Sequence, residues 1–135
     1  MEFQSRASHT DPLGGKAFLV IDDEESMLEV VKYFLELEGF KVITASSGQD
    51  GIAKFRENPD AIGAVFLDLS MPGMSGEEML VELRAIDPDM PVVIFTGHLV
   101  EEEDFVGVQG VLQKPFSLEG VLEKALDVLE ERGRV

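Results

Sequence analysis

Cysteine is absent from this chain of 135 residues, which excludes disulfides, thiolate chemistry and cysteine-bound zinc. Only two histidines occur, His9 and His98, too few for an ordinary histidine-based metal site. No apolar stretch approaches the roughly 20 residues needed to span a bilayer. The opening segment MEFQSRASHTDPLGG lacks the apolar centre of a secretory signal. Positive charge is scarce. Lys and Arg number 11 against 27 Asp and Glu, the formal charge is -16, and no three basic residues are consecutive. Such a surface repels nucleic-acid phosphates and anionic lipid headgroups, so neither a nucleic acid nor a membrane is expected as a direct partner. These absences point to a soluble protein of a reducing cytoplasm.

What is present is a core. The chain is 44% hydrophobic, and its length suits one domain. Residues 1 to 15 are polar, Ser-, Gly- and Pro-containing and without periodicity, and read as a linker or a remnant outside the fold. From Lys16 to the end, strand-like and helix-like patterns alternate. Strands are expected at Ala17 to Ile21, Lys41 to Ala45, Ile62 to Asp68, Pro91 to Phe95 and Gly110 to Gln113. Between them, Met27, Val30, Val31, Phe34 and Leu35 recur at helical spacing, and Gly39 ends that helix. Ser47 to Glu57 is a second helix with Ile52 and Phe55 inward. Ser75 opens a third, with Glu78 placed for a capping box and Met79, Leu83 and Ile86 inward. Glu101 to Val108 is the weakest helix, short and holding Gly107. A last helix, capped by Ser117, carries the stripe Leu118, Val121, Leu122, Ala125, Leu126 and Leu129. Five β-α units with right-handed crossovers make an α/β fold: a flavodoxin-like, doubly wound, five-stranded parallel sheet in order 2-1-3-4-5 with five helices.

In such a sheet the ligand crevice lies at the carboxyl ends of the strands, at the switch point between strands one and three. The apolar runs end there on chemically useful residues. Asp22 and Asp23 follow AFLVI, Asp68 follows AVFL, Thr96 follows VVIF and Lys114 follows GVLQ. Three carboxylates brought together repel one another and raise at least one pKa; a cation removes that conflict. Oxygen ligands without His or Cys favour Mg²⁺, Mn²⁺ or Ca²⁺, and two or three carboxylates fit Mg²⁺ better than a Ca²⁺ cage. An ionised Asp beside such a cation is itself a nucleophile toward phosphorus, and Asp68 is the candidate. Phosphoryl transfer asks mainly for placement and charge neutralisation. Lys114 supplies a compact positive charge, Thr96 a hydroxyl donor, and the backbone after Asp68 further N–H groups.

Each residue alone also has an ordinary structural role. Asp23 or Glu24 suits the N-cap of the first helix, Asp68 a loop, Thr96 a strand-end hydroxyl and Lys114 a solvated loop. His98 reads as an exposed loop residue, and Met71 and Met74 as loop packing. The joint occurrence of the acids, hydroxyl and ammonium at successive strand ends favours the site.

The segments VIDDEE, FLDLSMPGMSG, VVIFTGH and LQKPF together resemble a response-regulator receiver domain of two-component signalling, over about residues 16 to 132. The resemblance implies a receiver domain over residues 16 to 135 in which Asp68 accepts a phosphoryl group from a histidine kinase or phosphotransfer protein. It implies that Asp22, Asp23, Asp68 and the backbone carbonyl of Ser70 hold Mg²⁺, with Mn²⁺ as a substitute. Thr96 and Lys114 would contact the phosphoryl oxygens and relay the change to the face of the 101 to 108 helix, the fifth strand and the last helix, where a downstream protein docks. The domain would be a switch that promotes its own phosphorylation rather than an enzyme. Either it stands alone or it belongs to a longer protein such as a hybrid sensor histidine kinase, which TGH and QKPF favour by similarity. One departure stands out. Many receivers carry an aromatic residue three positions before the lysine, where this chain has Val111. Order and disorder in the 101 to 108 helix would then carry part of the response.

Three rivals are weaker. A Mg²⁺-dependent phosphohydrolase with an Asp nucleophile usually needs an acid two residues later, where Ser70 stands, and a cap insertion that is missing. A flavin or nucleotide binder needs a Gly- or Ser/Thr-rich first loop, whereas Asp22-Asp23-Glu24-Glu25 repels phosphate. An adaptor that only keeps the fold has no need of the acidic cluster and Lys114.

Overall fold

The computed structural model describes residues 15–97, 108–114 and 117–133, with side chains of the last helix described to residue 128. Five strands form one parallel sheet: β1 (Ala17–Ile21), β2 (Lys41–Ala45), β3 (Ile62–Asp68), β4 (Val92–Thr96) and β5 (Gly110–Gln113). Their spatial order is β2-β1-β3-β4-β5, the flavodoxin-like order expected. Four helices accompany them among the described residues: α1 (Glu25–Leu37), α2 (Gly48–Glu57), α3 (Gly76–Ile86) and α4 (Leu118–Gly133). The helix expected over 101 to 108 lies outside the described residues except for Val108, as do His98, Pro115 and Phe116. β4 is displaced by one residue from expectation, so Thr96 lies within the strand. Pro91 has no N–H to give a ladder, yet its carbonyl still accepts from the Val65 N–H at 2.9 Å.

Every residue of β1, β3 and β4 is buried, because helices cover both faces of the sheet. The two-residue period of each strand splits these side chains between two cores. Phe18, Val20, Phe66, Val93 and Phe95 pack with Leu28, Val31 and Leu35 of α1 and Val121, Ala125 and Val128 of α4. Leu19, Ile21, Val65, Leu67 and Ile94 pack with Ile52 and Phe55 of α2 and Met79 and Leu83 of α3. Phe18, Phe66 and Phe95 run across the three central strands with ring centroids 5.2 and 5.4 Å apart. Removing such a fully buried phenyl, as in Phe66→Ala, costs about 3–5 kcal/mol. That core makes the strand ends a rigid platform.

The caps follow the local chemistry. Ser75 and Glu78 form the full capping box: the Glu78 N–H donates to Ser75 Oγ at 3.0 Å and the Ser75 N–H to Glu78 Oε1 at 2.8 Å. Ser47 caps α2 from outside its first turn, accepting from the Asp50 N–H. The Gly120 N–H donates to Ser117 Oγ at 3.0 Å, which fastens the start of α4. Gly39 takes φ +94° just past α1, a conformation that ends the helix cheaply only without a Cβ.

Two helical faces differ from expectation. On α1 the buried face is Leu28, Val31 and Leu35 with Met27 and Phe34 beside it, while Val30 is 49% exposed. Val30 precedes Val31 by about 100° of helix rotation and so points outward. On α4 the buried face is Val121, Ala125 and Val128; Leu122 is half-buried and Leu126 exposed. The apolar residues there cover more than one face, and packing on the sheet selects the 121/125/128 row. Met71 is buried and Met74 half-buried against the α2/α3 core, as loop packing requires.

Candidate functional site

Asp22, Lys114 and Leu69, the neighbour of Asp68, are held by backbone ladders that run one step past the strands. The Asp22 N–H donates to the Ala45 carbonyl at 3.1 Å, the Leu69 N–H to Phe95 at 3.0 Å and the Lys114 N–H to Thr96 at 2.6 Å. Ile21 pairs Leu67 in register, which sets Asp22 beside Asp68; Asp68 pairs Phe95, and Thr96 pairs Gln113. The strand ends thus gather residues separated by up to 92 positions.

Asp22, Asp68 and Thr96 are buried, and Asp23 is exposed at the rim. One carboxylate oxygen from each of Asp22, Asp23 and Asp68 lies within 4.8 Å of the others. Lys114 Nζ donates to Asp22 Oδ2 at 3.1 Å and Asp68 Oδ2 at 3.3 Å, and stands 3.7 Å from Glu24 Oε1. The opposite oxygens are occupied by backbone: the Glu24 N–H donates to Asp22 Oδ1 at 3.0 Å, and the Ser70 N–H to Asp68 Oδ1 at 2.9 Å. Both contacts are Asx turns, the habit of an Asp whose chain turns at once.

The electrostatics follow from burial. Burial pushes the Asp22 carboxyl above its ordinary value; the Glu24 N–H opposes this, the Asp68 charge adds to it and Lys114 offsets it. For Lys114, burial works to lower the pKa. The hydrogen bond to Asp22 and the charges of Asp22 and Asp68 outweigh it and hold the ammonium above its ordinary value.

Asp22, Asp23, Asp68 and Lys114 therefore meet as expected. Thr96 closes the adjacent strand, and exposed Ser70 turns its N–H onto Asp68. Of the two residues suited to the N-cap of α1, Glu24 occupies the position, but no side-chain hydrogen bond caps the helix there. Asp22, buried and two residues earlier, accepts from the Glu24 N–H just ahead of the helix. Glu24 is the neighbour of Lys114 that the sequence reading missed; the hint was an acid two residues after a buried one. A separate cavity of about 230 Å³ between α1, β2 and α2 has its lysines already engaged, Lys32 with Glu36 and Lys54 with Asp50.

Three clustered carboxylates without His or Cys are a hard-oxygen donor set, and the residues fit Mg²⁺. Fold and site together define a flavodoxin-like α/β module with an acidic pocket at the carboxyl ends of its strands. The chain belongs to the response regulator receiver domain family, whose match covers residues 18–126. It is 35% identical over 120 residues to the probable transcriptional regulatory protein TcrX of Mycobacterium tuberculosis, covering 85% of this chain and 50% of that protein. Among solved structures it resembles a response regulator receiver domain protein from Clostridium thermocellum, with TM-score 0.78, 34% identity and coverage of 87% and 97% of the two chains. It also resembles the response regulator TrrA from Thermotoga maritima, solved in complex with Mg²⁺-BeF, with TM-score 0.73, 28% identity and coverage of 84% and 98%.

The chain spans half the length of TcrX. TcrX is named a transcriptional regulatory protein, and the expectation of no direct nucleic-acid contact, read from the charge of this chain, does not extend to TcrX. Receiver domains are signalling switches that bind Mg²⁺ at an acidic pocket, and the Asp22, Asp23 and Asp68 cluster is the acidic pocket of this chain. Among the described residues no helix is long and apolar enough to cross a membrane.

Proposed function

We propose that this receiver takes a phosphoryl group onto Asp68 from the phosphohistidine of a histidine kinase or phosphotransfer protein. The observation that carries the proposal is the convergence of Asp22, Asp23 and Asp68 within 4.8 Å, with Lys114 Nζ on the inner two. An Asp68 carboxylate oxygen attacks phosphorus, a P–O bond forms, the P–N bond breaks, and the leaving imidazole nitrogen takes a proton from solvent. The product is an acyl phosphate. Asp22, Asp23, Asp68 and the Ser70 carbonyl would hold Mg²⁺, which when bound supplies positive charge to the phosphoryl oxygens; Mn²⁺ suits the same oxygen donors.

The remaining work belongs to this chain. Lys114 passes from the Asp68 carboxylate to a phosphoryl oxygen, keeping its charge at the strand ends. The Thr96 hydroxyl donates to another oxygen. Those two shifts alter the sheet edge at β4 and β5, and a downstream protein partner reads that edge. With Val111 three positions before Lys114, the change leaves the domain without an aromatic rotamer there. The domain promotes its own phosphorylation and is no turnover enzyme; its parent protein, if a hybrid, would be a histidine kinase. The net charge of -16 and the absence of a basic run favour a protein partner over nucleic acid or membrane for this chain.

The test is intact-mass measurement after incubation with acetyl phosphate and Mg²⁺. The wild type gains one phosphoryl mass, chelation of Mg²⁺ prevents the gain, and Asp68→Asn gains nothing. A gain that survives in Asp68→Asn overturns the assignment. Continuous hydrolysis of the phosphodonor at a steady rate would favour a phosphohydrolase instead.

A further inference from the structure

Three carboxylates surround the Lys114 ammonium, and they are not equivalent. Asp22 and Asp68 are buried and within hydrogen-bond reach. Glu24 is 62% exposed at its side chain and pairs at 3.7 Å without a hydrogen bond. Asp22 and Asp68 belong to the acidic cluster, and Glu24 does not. Each buried carboxylate already has one oxygen bound to a backbone N–H, so the oxygens facing Lys114 are the ones left to share. A divalent cation entering the cluster draws on those same oxygens. Ammonium and cation then compete, since two positive charges in one small buried space repel.

We infer that Glu24 is a positioning residue, the carboxylate that receives Lys114 when a divalent cation takes Asp22 and Asp68. It thereby sets how readily the site exchanges one positive charge for the other. The inference rests on the assignment of Asp22, Asp23 and Asp68 as cation ligands. Glu24 is built for the part. Its N–H is tied to Asp22 Oδ1, and its carbonyl accepts from the Leu28 N–H at 3.1 Å in the first turn of α1. The backbone is therefore anchored, and only the side chain needs to follow the lysine. Its exposure keeps the carboxylate charged at little desolvation cost. Lys114 carries a point charge on a flexible four-carbon stem, so a short swing moves it from the buried pair to the rim.

A double-mutant cycle read by Mg²⁺ titration calorimetry tests this, with no phosphodonor present. Glu24→Gln weakens Mg²⁺ binding roughly threefold, the scale of one exposed ion pair. Lys114→Met binds Mg²⁺ more tightly than wild type, because the competitor is gone. In the Lys114→Met background, Glu24→Gln has no further effect, since its role passes through the lysine. Lys114→Gln, which keeps a donor to the buried carboxylates, serves the same arm if the Met variant does not fold. A Glu24→Gln effect that persists undiminished without the lysine overturns the inference, as does no effect in the wild-type background. Those results leave the cluster intact if Asp23→Asn still abolishes binding. Binding that is unchanged in Asp23→Asn, or absent in wild type, removes both the cluster assignment and the inference.

Discussion

Lys114 Nζ lies 3.1 Å from Asp22 Oδ2 across 92 positions of chain, and it is the counter-charge of a carboxylate with no exposed side-chain surface. The pair is fastened at both backbones by ladder bonds to the neighbouring strands. Removing one member of a buried pair leaves the other without compensation, which usually costs about 3–5 kcal/mol. The Lys114 side chain keeps 21% of its surface in water, which reduces that figure. Lys114→Met is expected to lose about 2 kcal/mol in the absence of divalent cation, read by urea unfolding followed by circular dichroism. Saturating Mg²⁺ should restore much of the loss. A variant as stable as wild type without cation would contradict the pairing.

Stability should also depend on alkaline pH through the same lysine. Its folded pKa is raised above 10.5, so the stability it contributes is fully present below that value and is lost as pH rises through the folded value. Wild type is therefore expected to lose more stability than Lys114→Met as pH climbs past about 10.5, and the two curves should converge. Parallel curves would show that the ammonium gains nothing from its partners.

Mg²⁺ should stabilise the fold by mass action, because the clustered carboxylates exist only in the folded chain. An excess of about 100-fold over Kd adds about 2.7 kcal/mol. For a domain of this size that is a rise of roughly 10 °C in Tm. Asp23→Asn removes an exposed carboxylate of the cluster without disturbing the core, so it should keep its Tm without Mg²⁺ and lose most of the rise. An equal rise in the variant would place the cation elsewhere.

The loop after Asp68 depends on a glycine. A Cβ at Gly76 would overlap the Leu69 side chain and sit 2.9 Å from the Leu69 Cα, so α3 packs against the residue next to Asp68 through bare backbone. Gly76→Ala is expected to destabilise by about 2 kcal/mol. It should also slow phosphorylation by acetyl phosphate, since Leu69 cannot yield without moving Asp68 or Ser70. Thermal unfolding and the rate of mass gain check the two halves. A destabilised variant with wild-type kinetics would separate the loop from the site.

How much of this was legible beforehand follows from the kind of signal each feature leaves. Asp22, Asp68 and Lys114 were readable because apolar strands end abruptly on them, and parallel order brings strand ends together. The Ser75–Glu78 box was readable because both partners lie within one turn. Val30 and Leu126 were misplaced because an apolar residue at helical spacing does not say which of two adjacent rows the sheet covers. Val128 went unnoticed for the same reason. The link from Glu24 to Lys114 left only the faint hint of an acid two residues after a buried one, since it depends on how two long side chains are aimed. The Asx turn of Asp22 onto the Glu24 N–H was hidden by Asp23 and Glu24, either of which has the chemistry of a cap one or two residues later.

The most direct measurement concerns the bond itself. Protein treated with acetyl phosphate and Mg²⁺ is reduced with borohydride, which converts an acyl phosphate of Asp into homoserine, and then fragmented for sequencing by mass spectrometry. Homoserine at position 68, and nowhere else in the acidic cluster, is the expected result. Homoserine at position 22 or 23, or a phosphoryl group that resists borohydride, would contradict Asp68 as the acceptor.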